Sequence, residues 1–236
     1  MKNTAIVLAG GSGSRMKSSV KKQYLMMQGR PVLCHSLEIF QNCSRIDEII
    51  LVCGKGEIEQ CRANIVEAYG FTKVSHIVEG GKERYHSVHE GLKAITDCTY
   101  VLIHDGARPF VDDAILNRVL DVLPECRACV VGMPVKDTIK MSDQEGFVER
   151  TLPRELLWTI QTPQSFEYAL IREAYDKLAE QEPADIKITD DAMVAEYILQ
   201  IPVKLVEGSY DNIKITTPED LLLAELILNS RQQAEV

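Results

Sequence analysis

The sequence predicts an α/β protein, a doubly wound, mostly parallel Rossmann-like sheet carrying a protruding β-hairpin arm. Three observations lead there. Short, β-branched, nearly continuous apolar runs recur along the chain, as expected of strands buried on both faces. Stretches of helical periodicity lie between them. One segment, 136–156, follows neither pattern. Strands alternating with helices imply parallel pairing through right-handed crossovers.

The elements follow in order. Residues 4–9 (TAIVLA), 48–53 (EIILVC), 74–78 (VSHIV), 100–104 (YVLIH) and 128–132 (ACVVG) have the strand pattern. Helices are expected over 32–42, 57–69, 84–96 and 112–123, the last with Ile115, Leu116, Val119, Leu120 and Leu123 on one stripe. Within 136–156, Lys136–Met141 and Gly146–Thr151 alternate loosely around the turn-like Ser142–Gly146. That hairpin is too polar on both faces for core, so it is either a lid or an arm that pairs with another subunit. The sheet pattern resumes at 157–161, with helices near 165–181 and 190–199 and strands near 202–206 and 211–215. A final helix starts at Thr217-Pro218-Glu219-Asp220, with Thr as N-cap, Pro in the first helical position and acids in the first turn. The polar tail after Asn229 is expected to fray. We expect one domain over 1–236, with 136–156 as an arm within it.

Composition excludes several classes. At 236 residues, 45% hydrophobic and 26% charged, the chain is ordinary for a globular protein. No apolar run approaches the ~20 residues of a membrane helix, so no membrane partner is expected. Met1-Lys2-Asn3-Thr4 leads straight into a strand with no small-residue cleavage site behind it, which favours a cytoplasmic location. Seven scattered cysteines suit reduced thiols. Cys126 and Cys129 form a lone C-x-x-C with no second pair nearby, and we assign them no metal. The net charge of −9 disfavours a nucleic-acid partner. Its distribution is more telling. No acid precedes Glu38, so Lys2, Arg15, Lys17, Lys21, Lys22 and Arg30 leave the first 37 residues at +6. The remaining chain holds 20 basic against 35 acidic residues. A confined basic zone on an acidic protein implies a small anionic ligand such as a nucleotide or sugar phosphate.

That zone centres on the loop after the first strand, Leu8-Ala9-Gly10-Gly11-Ser12-Gly13-Ser14-Arg15-Met16. Glycines close behind a strand let backbone N–H groups approach a phosphate. Neither familiar glycine motif fits. The dinucleotide fingerprint and the Walker pattern both require a glycine where Met16 stands. Arg15 and Lys22 lie seven residues apart in this loop, and a loop can fold both onto one phosphate. Two fixed cations suit a reaction in which an α-phosphate gathers negative charge while pyrophosphate leaves. Each at ~4 Å is worth about 4 kcal/mol of Coulomb energy before desolvation.

With these residues in view, the chain resembles the 2-C-methyl-D-erythritol 4-phosphate cytidylyltransferases. The likeness rests on Ala9–Leu25, on Gly80-Gly81-Lys82-Glu83-Arg84 with Ser87-Val88, and on His104-Asp105-Gly106-Ala107-Arg108-Pro109. It continues through Pro134–Thr138, Trp158–Gln164, Thr189-Asp190-Asp191, Asn212-Ile213-Lys214 and Thr217–Asp220. These blocks run in order from residue 4 to about 228. One departure is Lys21, which stands where the family pattern expects a proline; the register of Lys22-Gln23-Tyr24 assigns the phosphate to Lys22.

The resemblance implies a nucleotidyltransferase-type fold and transfer of a cytidylyl group from CTP to 2-C-methyl-D-erythritol 4-phosphate, with magnesium as cofactor. Carried over, Arg15 and Lys22 would stabilise the charged phosphorus. Ala9, Gly10, Gly11, Gly13 and Ser14 would wrap the triphosphate, and Gly81, Ser87 and Ala107 would help to hold the nucleoside. Asp105, ending a strand where open α/β sheets bind ligands, would face the nucleotide sugar or its magnesium. Arg108, Thr138, Arg154, Thr162 and Lys214 would position the sugar phosphate. In the family the arm is exchanged within a homodimer, so each site would borrow Arg108, Thr138 and Arg154 from its partner. No general base is needed, because a phosphate monoester is mostly dianionic at neutral pH, and His104 reads as structural. Three rivals stay open. A ribitol 5-phosphate cytidylyltransferase is disfavoured by Ala107. A nucleotide-sugar glycosyltransferase would want a second Asp after Asp105. A non-catalytic nucleotide-binding regulator would not need both loop cations and distant Arg154 and Lys214.

Overall fold

The computed structural model describes residues 1–11, 21–180 and 187–234. Its main sheet has seven strands. In chain order these are β1 (Asn3–Leu8), β4 (Glu48–Cys53), β5 (Val74–Glu79), β6 (Tyr100–Asp105), β7 (Ala128–Pro134), β10 (Trp158–Glu167) and β11 (Lys204–Glu207). They lie in the spatial order β11-β7-β10-β6-β1-β4-β5. Every pairing is parallel except those of β10, which runs against both β6 and β7. Two small ribbons complete the strands: β2 (Met26–Met27) with β3 (Arg30–Pro31), and β8 (Lys140–Ser142) with β9 (Val148–Thr151).

Alternation along β1 shows how the sheet builds two cores. Ala5 and Val7 face α1 (Val32–Asn42), α2 (Ile58–Cys61) and α4 (Asp113–Cys126), packing with Leu37, Phe40, Cys61 and Leu116. Ile6 and Leu8 face α3 (Arg84–Lys93), α5 (Tyr168–Glu180) and α6 (Asp191–Leu199), packing with Val88, Ile171 and Val194. Period-two side chains buried on both faces explain the continuous apolar runs. In register, Ile6 lies between Ile50 and Ile103. The last helix, α7 (Pro218–Ala234), closes a smaller cluster of Met27, Val32, Phe110, Ile215 and Ala224.

Several expected boundaries move. β10 runs through Glu167, so residues 165–167 are strand rather than helix; Phe166 pairs with Val101 and Ala128, and that non-local pairing outweighs helical periodicity. α4 continues past Leu123 with Pro124 inside its last turn, ending where Arg127 takes φ 62° and donates its N–H to Leu123 O. Residues 62–67 continue α2 as a π-helical stretch. The segment 211–215 forms no strand: it turns at Ser209–Asn212, then places Ile215 N on Ala107 O at 2.8 Å. At α7 Pro218 is the first helical residue, as expected, and Asp220 in the first turn reaches back to accept from Thr216 N and Thr217 N, both at 2.8 Å. The tail expected to fray is helical to Ala234, held where Arg231 donates to Phe110 O at 3.2 Å and lies over that ring.

The hairpin β8–β9 pairs Lys140 with Thr151 and Met141 with Arg150, and stands off the sheet with Phe147, Val148 and Leu156 exposed. Among the described residues no helix is long and apolar enough to cross a membrane. All seven cysteines are free thiols.

Candidate active site

The carboxyl ends of β1 and β6 open onto a cleft of about 320 Å³, where ligands bind in open α/β sheets. Gly10 and Gly11 form its floor. Lys22 and Gln23 enter from one side, and Gly81, Glu83, Arg84 and Ser87 from the start of α3. Asp105, Ala107 and Lys214 close the far wall. The start of α3 turns its positive dipole end toward the cleft, a natural seat for phosphate. A side chain at Gly81 would drive its Cβ into that of His86, so only glycine lets the chain turn into α3 here. Gly81 N also donates to Ser87 Oγ at 3.1 Å.

Of the loop residues expected at the phosphates, Gly13, Ser14 and Arg15 lie outside the described residues. Ala9 is not at the cleft: it is fully buried and its N–H is spent on Val52 O at 2.7 Å. Lys21 and Lys22 separate cleanly. Lys22 lines the cleft, whereas Lys21 pairs with Glu57.

Asp105 is the electrostatic centre. Its Oδ1 accepts from Arg84 Nε at 3.1 Å and its Oδ2 from Lys214 Nζ at 2.6 Å. Burial alone would raise its pKa, but Arg84 and Lys214 outweigh that and hold the carboxyl well below the usual carboxylate range. It caps no helix; Asp112 caps α4, accepting from Ile115 N at 2.8 Å. Arg84 is itself clamped by the buried Asp191, two bonds of 2.8 Å each. Tyr175 Oη donates to Asp191 Oδ1, and Gln164 Oε1 accepts from Asp191 N at 2.8 Å. Neither Arg84 nor Asp191 stood out singly in the sequence. They are 107 residues apart, and only their presence in the Lys82-Glu83-Arg84 and Thr189-Asp190-Asp191 blocks marked them.

A second cleft of about 310 Å³ adjoins the first and shares Arg84, Asp105 and Lys214 with it. Arg108, Gln161, Thr162, Gln164, Thr189 and Asp190 complete its wall. Arg108 lines this cleft of its own chain, fixed by a 2.7 Å bond to Asn212 O. Thr162 serves inward: its Oγ1 accepts from Asp105 N at 3.1 Å and lies 3.0 Å from His104 Nδ1. Burial lowers the His104 pKa to about 4, so the ring is neutral near pH 7. Thr138 and Arg154 line neither cleft. Both are exposed on the arm, where Arg154 donates to Lys136 O at 2.7 Å.

Among the described residues no group of three or more His, Cys, Asp or Glu could hold a metal by itself. Asp105 has both carboxylate oxygens already on cations. That donor set fits a magnesium carried mainly by nucleotide phosphates, with one protein carboxylate at most.

The family model for 2-C-methyl-D-erythritol 4-phosphate cytidylyltransferase matches residues 3–230. The chain belongs to this family. It is 52% identical to the 2-C-methyl-D-erythritol 4-phosphate cytidylyltransferase of Lachnoclostridium phytofermentans over 231 residues, covering 98% of both chains. With the enzyme of that name from Alkaliphilus oremlandii it shares 49% over 233 residues, 98% of this chain and 97% of the other. Among solved structures, the 4-diphosphocytidyl-2C-methyl-D-erythritol synthase of Anaerococcus prevotii superposes with a TM-score of 0.84 at 36% identity, covering 97% of this chain and 96% of that one. The 2-C-methyl-D-erythritol 4-phosphate cytidylyltransferase of Thermus thermophilus gives 0.76 at 32%, covering 95% and 98%. The doubly wound, mostly parallel fold is that of these cytidylyltransferases.

Proposed function

We propose that the two adjoining clefts hold the two substrates of a cytidylyl transfer, with CTP in the cleft of Gly10, Gly11 and Lys22 and 2-C-methyl-D-erythritol 4-phosphate in the cleft of Arg108. The products are 4-diphosphocytidyl-2-C-methyl-D-erythritol and pyrophosphate. The observation that carries this assignment is the shared wall: Arg84, Asp105 and Lys214 belong to both clefts. Two anions that must react therefore meet across one carboxylate and two cations.

The sugar phosphate, mostly dianionic at neutral pH, attacks the α-phosphorus of CTP. The new P–O bond forms as the bond to pyrophosphate breaks. Lys22, with Arg15 from the loop beside it, stabilises charge gathering on the α-phosphate, while Lys214 aligns the incoming phosphate. His104 is buried and neutral, with both ring nitrogens engaged, so the proton-free mechanism needs nothing from it. Magnesium, when bound, would supply charge neutralisation to the triphosphate, and Asp105 is the cleft carboxylate that would hold it.

Thr138 and Arg154 reach a site only if the arm crosses to a second copy. The exposed Phe147, Val148 and Leu156 on that arm support a homodimer with exchanged arms, each lending both residues to its partner's sugar-phosphate cleft.

The testing experiment is pyrophosphate release from CTP and magnesium, offered methylerythritol 4-phosphate and ribitol 5-phosphate in parallel. Release with the first alone is expected. Release with ribitol 5-phosphate alone overturns the substrate, and release with neither overturns the enzyme reading.

A further inference from the structure

We propose that Glu57 is a positioning residue for the transfer, fixing the segment Lys21–Tyr24 so that Lys22 points into the CTP cleft. This rests on the reading of Lys22 as a catalytic cation.

Glu57 sits in the turn between β4 and α2 and lines neither cleft. Its carboxylate gathers three donors from two parts of the chain. Lys21 Nζ pairs with Oε1, and Tyr24 Oη donates to Oε2 at 3.2 Å. Gly54 N also donates to Oε2 at 3.2 Å, tying the carboxylate to the end of β4. Glu57 is mostly buried, its side chain 16% exposed against 33% for Lys21, so water competes weakly for the pair. The enclosure is tight. A Cβ at Gly54 would lie 2.6 Å from Lys21 Nζ and 2.7 Å from Glu57 Oε2.

Lys21 and Tyr24 are the two ends of a single 3-10 turn, closed by Tyr24 N donating to Lys21 O at 2.9 Å. Between them stand Lys22, lining the cleft, and Gln23, whose Nε2 donates to Gly11 O at 3.1 Å. Glu57 thus grips both ends of the turn from behind while Gln23 ties its middle to the phosphate loop. The backbone at Lys21 has φ −62° and ψ 142°, values that proline adopts without strain. A proline there would hold the same entry angle with no ion pair at all.

That gives a test which separates positioning from mere stability. Steady-state kinetics in both substrates, with thermal midpoints, are measured for Glu57→Gln, Glu57→Asp, Lys21→Pro, the double variant Lys21→Pro with Glu57→Gln, and Lys22→Ala. A misplacement of about 1 Å costs up to ~10²-fold in rate. Glu57→Gln is therefore expected to lower kcat by more than about tenfold, with KM for the sugar phosphate within about threefold. Glu57→Asp should recover part of the loss, and in the Lys21→Pro background Glu57→Gln should cost little. A loss below tenfold, or an equal loss in both backgrounds, overturns the proposal. Should Lys22→Ala leave kcat intact, it is the catalytic reading of Lys22 that fails instead.

Discussion

Lys214 and Asp105, 109 residues apart in sequence, meet at 2.6 Å and close the wall between the two clefts. The lysine arrives there because Ile215 N is anchored on Ala107 O, two residues beyond Asp105. One backbone bond thus places a cation from the approach to α7 at the end of β6.

Lys214→Ala should weaken the sugar phosphate more than CTP. A charge-assisted contact to phosphate is worth about 1.5–3 kcal/mol, so KM for the sugar phosphate should rise roughly 10- to 100-fold. If only the KM for CTP rises, Lys214 serves the nucleotide instead.

Asp191→Ala should destabilise the fold as well as the site, since it leaves Arg84 buried with a broken bidentate pair. The expected cost is about 3–5 kcal/mol, read from the denaturant midpoint at constant m-value. A change under about 1 kcal/mol would mean that Arg84 finds a new partner.

Stability should fall on acidification in a window set by His104. Its folded pKa of about 4 lies below the ~6.5 of an unfolded histidine. The stability it contributes is therefore complete above pH ~6.5 and lost as pH falls toward 4, on the order of 3 kcal/mol. Asp105 acts lower: its depressed pKa keeps its contribution intact until pH drops below the ~3.9 of an unfolded carboxyl. His104→Gln should flatten the slope between about pH 6.5 and 4.5, and an unchanged slope would refute the assignment.

Complementary subunits should rescue one another. An Arg15→Ala chain keeps an intact arm, and an Arg154→Ala chain keeps an intact phosphate loop. Mixed under conditions of verified exchange, they should regain part of the activity that each lacks. Exchange without rescue would mean that the arm serves its own chain.

The strands buried on both faces were legible because their apolar runs need no partner to be recognised. β10 was legible only at its start. Ser165-Phe166-Glu167 leads into the helical periodicity of α5, and its strand state comes from pairing with Leu102, Val101 and Tyr100, which no local pattern encodes. The alternation at 211–215 misled for the same reason: Asn212 and Ile215 are buried by side-chain and loop contacts, not by a ladder. At the site, the glycines and cations announced themselves by type and spacing. The roles of Thr162, Gln164 and Glu57 did not, because each acts by holding another residue in place.

Pro134 and Trp158 are direct cross-strand partners at the mouth of β7 and β10. The hairpin between them is consequently a cassette: both of its ends leave from one point, and the sheet closes without it. Replacing 135–157 by a short turn should leave the seven strands in register, and arms of other lengths could be spliced at the same junction. Because the cassette carries Thr138 and Arg154 but no buried residue, the arm can change without repacking either core.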